Sequence, residues 1–325
     1  MVLRETAFRK MIVRESSQKS IAGTAARAEE DNYLATASFA TTLAKGLAVL
    51  EAFEVGSNFL GNTELAERTG LTRPTVARLS HTLAELGYLR YDETKSKYRL
   101  GARSVRMAYP LLANLVFRQA ARPLMYELAV SVGGTVSIGL LDEDMSVYVE
   151  TARSSDVGKH VPDIGKAVPI VRGAIGRALV SMLRPEEAAP IDALIRSRSP
   201  DLWDKYHEHY LEGRRDCAEH GVCFSYGDLV ATIPAVATPL FRSGVTGDCF
   251  ALNCGVPAFR LRSEQLETDI APRLQALAAT IRQLAGEAEP DSFAPVQLSD
   301  PKRAASKARH PAGLGQSPRR RKSSG

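Results

Sequence analysis

No stretch of the 325 residues stays apolar for long enough to cross a membrane. The first forty residues are polar and mixed in charge, without the continuous apolar core of a secretory signal. A cytoplasmic protein is expected. Cysteine is scarce, with Cys217, Cys223, Cys249 and Cys254 all in the last third of the chain. In a cytosolic setting these do not form a disulfide framework. With His207, His209 and His220 they offer HEH and C-x2-H-x2-C spacings, so a redox- or metal-responsive site stands as an alternative reading. Against it, Cys249 and Cys254 fall in a strand-like stretch, where cysteine is commonly a small buried side chain. No nucleophile, base and orienting group recur in a pattern suggesting catalysis. Neither an enzyme nor a cofactor is expected.

What is present begins with a misplaced charge. The formal net charge is +5, yet residues 300–325 carry eight Lys/Arg and one acid, leaving −2 on the rest. That basic tail is rich in Ser, Pro and Ala and has too little apolar surface to fold by itself. It reads either as extra nonspecific affinity for nucleic acid, through counterion release, or as a solvated tail.

The strongest pattern is Thr63 to Leu100, TELAERTGLTRPTVARLSHTLAELGYLRYDETKSKYRL. Thr63 is placed to cap a short helix stopped by Gly70. Thr72 caps a second helix, which tolerates Pro74 because the first turn has unpaired N–H groups in any case. Val76, Leu79, Leu83 and Leu86 then line one face, up to Gly87. Arg73, Pro74, Thr75, Ala77, Arg78 and His81 occupy the rest of the helix start. A hairpin follows, with Leu89 and Tyr91 on one strand, Tyr98 and Leu100 on the other, and a polar tip carrying Lys95 and Lys97. From Arg73 to Arg99 six Lys/Arg face three acids, whereas Glu51 to Glu67 holds four Glu and no base. Positive charge thus gathers on the second helix and the wing, as a phosphate-facing surface requires. The expectation is a winged helix-turn-helix that binds double-stranded DNA.

The domain reading is an extension at 1–38, the winged unit at 39–101, a linker helix at 102–118, a second domain at 119–286 and the basic tail at 287–325. Leu43, Leu47, Leu50 and Phe53 are expected to pack a first helix on the other two. The linker SVRMAYPLLANLVF is unusually apolar, with Pro110 implying a kink or a start. Its expected use is pairing with the same helix of another copy. Beyond it, amphipathic helices surround strand pairs at TVSIGLL and SVYVET and at ATIPAVATPLF and DCFALNCGV. A long helix closes the domain from about Ser263 to Leu284. Hairpin-paired strands with helices before and after indicate an α+β domain on an antiparallel sheet.

Taken in order, LAKGLAVLEAF, ELAERTGLTRPTVARLSHTLAELGYL, YRLG, ARPLMYELA, VYVE, the G-x-x-G-R-A-L run at Gly173–Leu179, ATPLF and GVPAFRL closely resemble the IclR family of bacterial transcriptional regulators, over roughly residues 40–285. The resemblance implies a GAF-like effector domain behind the winged unit. It also implies dimers and tetramers on pseudo-palindromic operators, and a small-molecule effector, usually a metabolite acid. It places DNA reading on Thr72, Arg73, Thr75 and Arg78, with Lys95 and Lys97 on the wing. It places the effector pocket at Gly173 and Ala174, at the Ser225–Asp228 loop, and at Val236, Asn253 and Gly255. Val236 and Gly255 replace small polar residues common in relatives, and Ile233-Pro234 replaces a glycine-containing run, which favours a bulkier or more apolar ligand. Physically, the N–H groups of Gly173 and Ala174 at a helix start suit a carboxylate, and Arg172 can add a charge-assisted contact. The competing reading of Gly173 and Gly176 is close packing of a helix on the sheet.

Overall fold

Glycine and proline punctuate the first unit. The computed structural model describes residues 39–155 and 163–286; the N-terminal extension and the basic tail lie outside the described residues. Helix α1 spans Thr41–Glu51, α2 Asn62–Thr69 and α3 Arg73–Glu85. Gly70 ends α2 in the left-handed conformation, at φ 70°. Thr63 does not cap α2. The helix opens behind Gly61, whose N–H donates to Glu64 Oε2 at 2.7 Å. Thr72 does precede α3 in extended backbone, but its hydroxyl meets that of Thr75 at 2.9 Å instead of a helix N–H. Strands β1 (Leu89–Asp92) and β2 (Lys97–Leu100) pair antiparallel as the wing.

Val49, Leu65, Val76, Leu79, Leu89 and Tyr98 form this unit's core. Three expectations about faces fail. Helix α1 buries Ala48 and Val49 and leaves Leu43 and Leu47 exposed. Leu86 is exposed because α3 has already ended at Glu85. In the wing only Leu89 and Tyr98 point inward; Tyr91 and Leu100 sit across the strands from them, half exposed, because the hairpin lies at the edge of a small core.

Helix α4 (Ala102–Asn114) carries Pro110 and buries none of its residues. Helix α5 (Phe117–Val132) then lies on a six-stranded antiparallel sheet, ordered β5-β4-β3-β8-β7-β6. Its strands are β3 Thr135–Asp142, β4 Met145–Arg153, β5 Ala167–Pro169, β6 Cys223–Ser225, β7 Ala235–Arg242 and β8 Cys249–Gly255. The three-residue edge strands β5 and β6 are too short to leave a periodic signal. Helices α6 (Ala174–Val180), α7 (Pro185–Arg198), α8 (Pro200–His220) and α9 (Ala271–Ala285) complete the domain. The expected single closing helix is instead a π-helical turn at Leu266–Ile270 leading into α9. Pro272 has no N–H for the carbonyl four residues back, so the regular ladder cannot run through.

Two faces of the sheet are covered differently. Helices α5 and α9 bury Val136, Ile138, Val236, Leu252 and Cys254 on one side. Helix α6 packs on the other, against Tyr148, Ala237 and Ala251, with all seven of its residues buried. Gly176 lets it approach: a Cβ there would stand 2.2 Å from the Ile170 carbonyl oxygen. No described helix is long and apolar enough to cross a membrane.

Candidate functional site

The exposed face of α3 is the first candidate. Thr72, Arg73, Pro74, Arg78 and His81 are exposed, while Thr75 and Ala77 are half-buried; Thr63 is exposed on α2. Among the described residues no ion pair holds the side chains of Arg73, Arg78 or His81, so their donors are available to a partner surface. The wing departs from expectation. Lys97 Nζ is 2.8 Å from Glu64 Oε1, fastening β2 to α2. That contact and the Gly61 N–H hold the Glu64 carboxyl below the usual carboxylate range, the backbone bond acting most strongly. Lys95 lies over the Phe59 ring at 3.5 Å. Both lysines assigned to phosphate therefore already have partners inside the unit. Arg90 and Arg99 face each other across the strands, both exposed and without an ion pair among the described residues. Two like charges opposed on a hairpin repel and gain from a shared counter-anion. The period-two pattern of the wing already turned these two outward.

The second candidate is a cavity of about 50 Å³ between the start of α6 and the sheet. Gly173, Ala174, Asn253 and Gly255 line it, as expected. Val236 does not. It is fully buried among the side chains under α5 and α9, on the opposite sheet face. The expectation slipped by one residue, and in a strand one residue exchanges faces; Ala235, opposite Gly255, takes the place. Gly173 has φ −123°, and a Cβ there would meet nothing closer than 3.8 Å, so no steric demand explains this glycine.

Arg172 and Asp228 are not on the cavity wall either, and they fasten the loop that covers it. Arg172 donates to the carbonyls of Asp228, at 3.2 Å, and Leu229, at 3.0 Å. The Asp228 carboxylate pairs with buried Arg177, accepts from Ser225 Oγ at 3.3 Å and lies 3.3 Å from His209 Nδ1. Arg177 also donates to Phe224 O at 2.6 Å. It threads past Gly213 of α8, where a Cβ would stand 2.4 Å from its Cδ. These are charge-assisted bonds in a mostly buried setting, suited to holding a loop still.

Ser225 of the expected loop also lines the cavity, and sequence reasoning missed Thr135, Tyr148 and Leu229, which line it too. A signal existed. Thr135, Ser137 and Gly139 alternate with Val136 and Ile138 on a central strand, giving it one polar or small face.

The cysteine and histidine alternative finds no assembled site. All four thiols are buried. Burial pushes Cys249 up to about 11 and Cys254 to about 12, and raises Cys217 beside Cys223. Thiols held protonated are poor ligands and nucleophiles. His207 meets Trp203 O at 3.0 Å and His209 faces Asp228. Among the described residues no three His, Cys, Asp or Glu are grouped to hold a metal ion.

Known proteins share both halves. Residues 42–93 match the IclR helix-turn-helix domain and residues 110–283 the bacterial transcriptional regulator IclR C-terminal domain. The p-hydroxybenzoate hydroxylase transcriptional activator of Acinetobacter baylyi is 30% identical over 77% of this chain and 93% of its own. A crystal structure of an IclR family transcriptional regulator from Brucella abortus is 33% identical, covers 84% of this chain and 97% of that one, and superposes with a TM-score of 0.67. An IclR homolog from Microbacterium hydrocarbonoxydans, crystallised with 4-hydroxybenzoate, shares the fold at 20% identity and a TM-score of 0.58, over 75% of this chain and 98% of that one. The chain belongs to the IclR family of DNA-binding transcription regulators.

Proposed function

We propose that this regulator reads operator DNA with the exposed face of α3, holds phosphate with Arg90 and Arg99, and changes its operator binding when a small-molecule effector fills the cavity under α6. The observation that carries the reading is a lined cavity in the same chain as an unobstructed recognition face. The complex of a protein of this fold with 4-hydroxybenzoate supports it and makes an organic acid the first effector class to try. Coupling has a physical route. Tyr148 lines the cavity on β4. One residue further, the Val149 carbonyl accepts from Arg118 at 2.9 Å, and Arg118 also pairs with buried Glu150 at 3.6 Å. Arg118 lies in the first turn of α5 just after α4, so a shift of β4 is felt where the linker ends. Such couplings are typically worth about 1–3 kcal/mol.

Self-association completes the proposal. Val105, Met107, Tyr109 and Leu111 on α4, with Leu43 and Leu47 on α1, leave apolar side chains in water. A second copy of the chain covers them, which brings two readers to two half-sites.

The test uses an operator selected from random DNA. Arg78→Ala should cost about 1–3 kcal/mol on that operator and little on scrambled DNA. Arg99→Ala should weaken both alike and reduce the salt slope by about one. Equal losses on both DNAs for Arg78→Ala would remove that residue from base reading.

A further inference from the structure

Three polar side chains on the cavity floor have no visible reason to be there. Thr135, Tyr148 and Asn253 are 5%, 2% and 8% exposed, and all three line the cavity. Among the described residues none of their hydroxyl or amide groups has a hydrogen-bond partner. Buried polar groups are normally paired, and each unpaired one costs free energy. They lie on three adjacent strands, staggered along their length. Thr135 lies opposite Gly255, Asn253 opposite Ser137 two residues further along β3, and Tyr148 opposite Gly139 two further again. At about 3.3 Å per residue the three span roughly 13 Å along the strands. Facing it are Ile175, Leu229, Val230 and Ile233, all apolar.

Equally telling is the charge on the wall. Among the described residues no Lys, Arg, His, Asp or Glu lines the cavity. The nearby Arg172, Arg177 and Asp228 are already bound to one another or to the covering loop. A doubly charged ligand would be left without a counter-charge in a largely apolar site, at a desolvation cost.

We infer that Thr135, Tyr148 and Asn253 are the recognition groups of this cavity. They select a small ligand with at most one negative charge, no ammonium group, and hydroxyl or carbonyl groups set along an apolar body. The inference rests on the cavity being the effector site proposed above.

The full-length protein can be tested with two matched probe series. One is benzoate, 4-hydroxybenzoate, 4-formylbenzoate, terephthalate and 4-(aminomethyl)benzoate; the other is butyrate, 4-hydroxybutyrate, succinate and 4-aminobutyrate. Binding is read by thermal shift and calorimetry, and operator release by fluorescence anisotropy. A hydroxyl- or carbonyl-bearing monoacid should bind best. Tyr148→Phe or Thr135→Val should weaken it about tenfold while leaving the unsubstituted acid unchanged. Without ligand, both variants should melt no lower than the wild type, since neither hydroxyl has a protein partner to lose.

Tighter binding of terephthalate, succinate or an ammonium-bearing probe would overturn the inference, as would no binding in either series. So would wild-type affinity in both variants, or a lowered melting point in both. Operator release by a charged probe would overturn it while leaving effector control intact. If a hydroxylated acid binds through Tyr148 but never alters operator binding, the recognition groups stand and effector control falls.

Discussion

The two faces of the central sheet differ in what their residues are for. Along β8, Phe250, Leu252 and Cys254 enter the cluster under α5 and α9, whereas Ala251, Asn253 and Gly255 face α6. The first face is filled with large apolar side chains. The second carries small ones, with unpaired polar groups around a void. Alternation along one strand thus separates the packed core from the cavity wall by a single residue step.

That contrast can be broken most forcefully within β8. Leu252→Ala should cost about 2–5 kcal/mol by denaturant unfolding, because a fully buried leucine leaves a cavity in a tight cluster. Its neighbour Asn253→Ala should change stability by less than about 1 kcal/mol, having no hydrogen bond to lose. Similar costs at both positions would erase the division between the faces.

A finer test compares two glycines. Gly176→Ala drives a methyl into the Ile170 carbonyl and should cost about 1–3 kcal/mol. Gly173→Ala meets no atom closer than 3.8 Å and should fold with almost unchanged stability. Any loss of ligand response in the Gly173 variant, measured beside its unchanged melting point, would place the α6 start against the ligand.

The smallest effect lies at the rim of the domain. Glu187 at the start of α7 accepts from Arg242 at 2.9 and 3.0 Å and from Arg184. The Arg242 bonds foremost, then those from Arg184, pull its pKa down from 4.5 to about 2. A lowered folded-state pKa stabilises above the unfolded value and loses that contribution as the pH falls. The melting-point gap between wild type and Glu187→Gln should therefore be full above about pH 5 and close as the pH drops from 4.5 toward 2. A gap independent of pH across that window would exclude this ion pair as its source.

Much of the fold was legible because its signals are local. Gly70 and Gly87 end helices, Pro74 sits where a helix tolerates it, and alternation marks β3, β4, β7 and β8. What failed depended on partners distant in sequence. Lys97 reads as a free wing cation until Glu64, 33 residues earlier, is brought beside it. Leu43 and Leu47 have the helical spacing of a core, yet the neighbouring helices meet Ala48 and Val49. Arg172 and Asp228 carry the right chemistry for a ligand and lie near the cavity, but their partners are each other's loop and Arg177. Val236 was displaced by one register step. Tyr148 was hidden by looking like an ordinary strand residue, and Thr135 was marked only by the polar or small face it shares with Ser137 and Gly139.

Consider finally the fastening of the winged unit. Arg68 ties α2 to Ala52 O at 2.8 Å and Ser57 Oγ at 2.9 Å, Leu60 bridges to Tyr98, and Lys97 bolts the wing to α2. None of these links uses Arg73, Arg78 or His81. If this edge reads DNA as proposed, it is free of structural duty, and its letters can be rewritten while the frame behind them stays as it is. A lineage can move to a new DNA word by substitutions there alone, and an engineer can retarget the protein without first re-stabilising it.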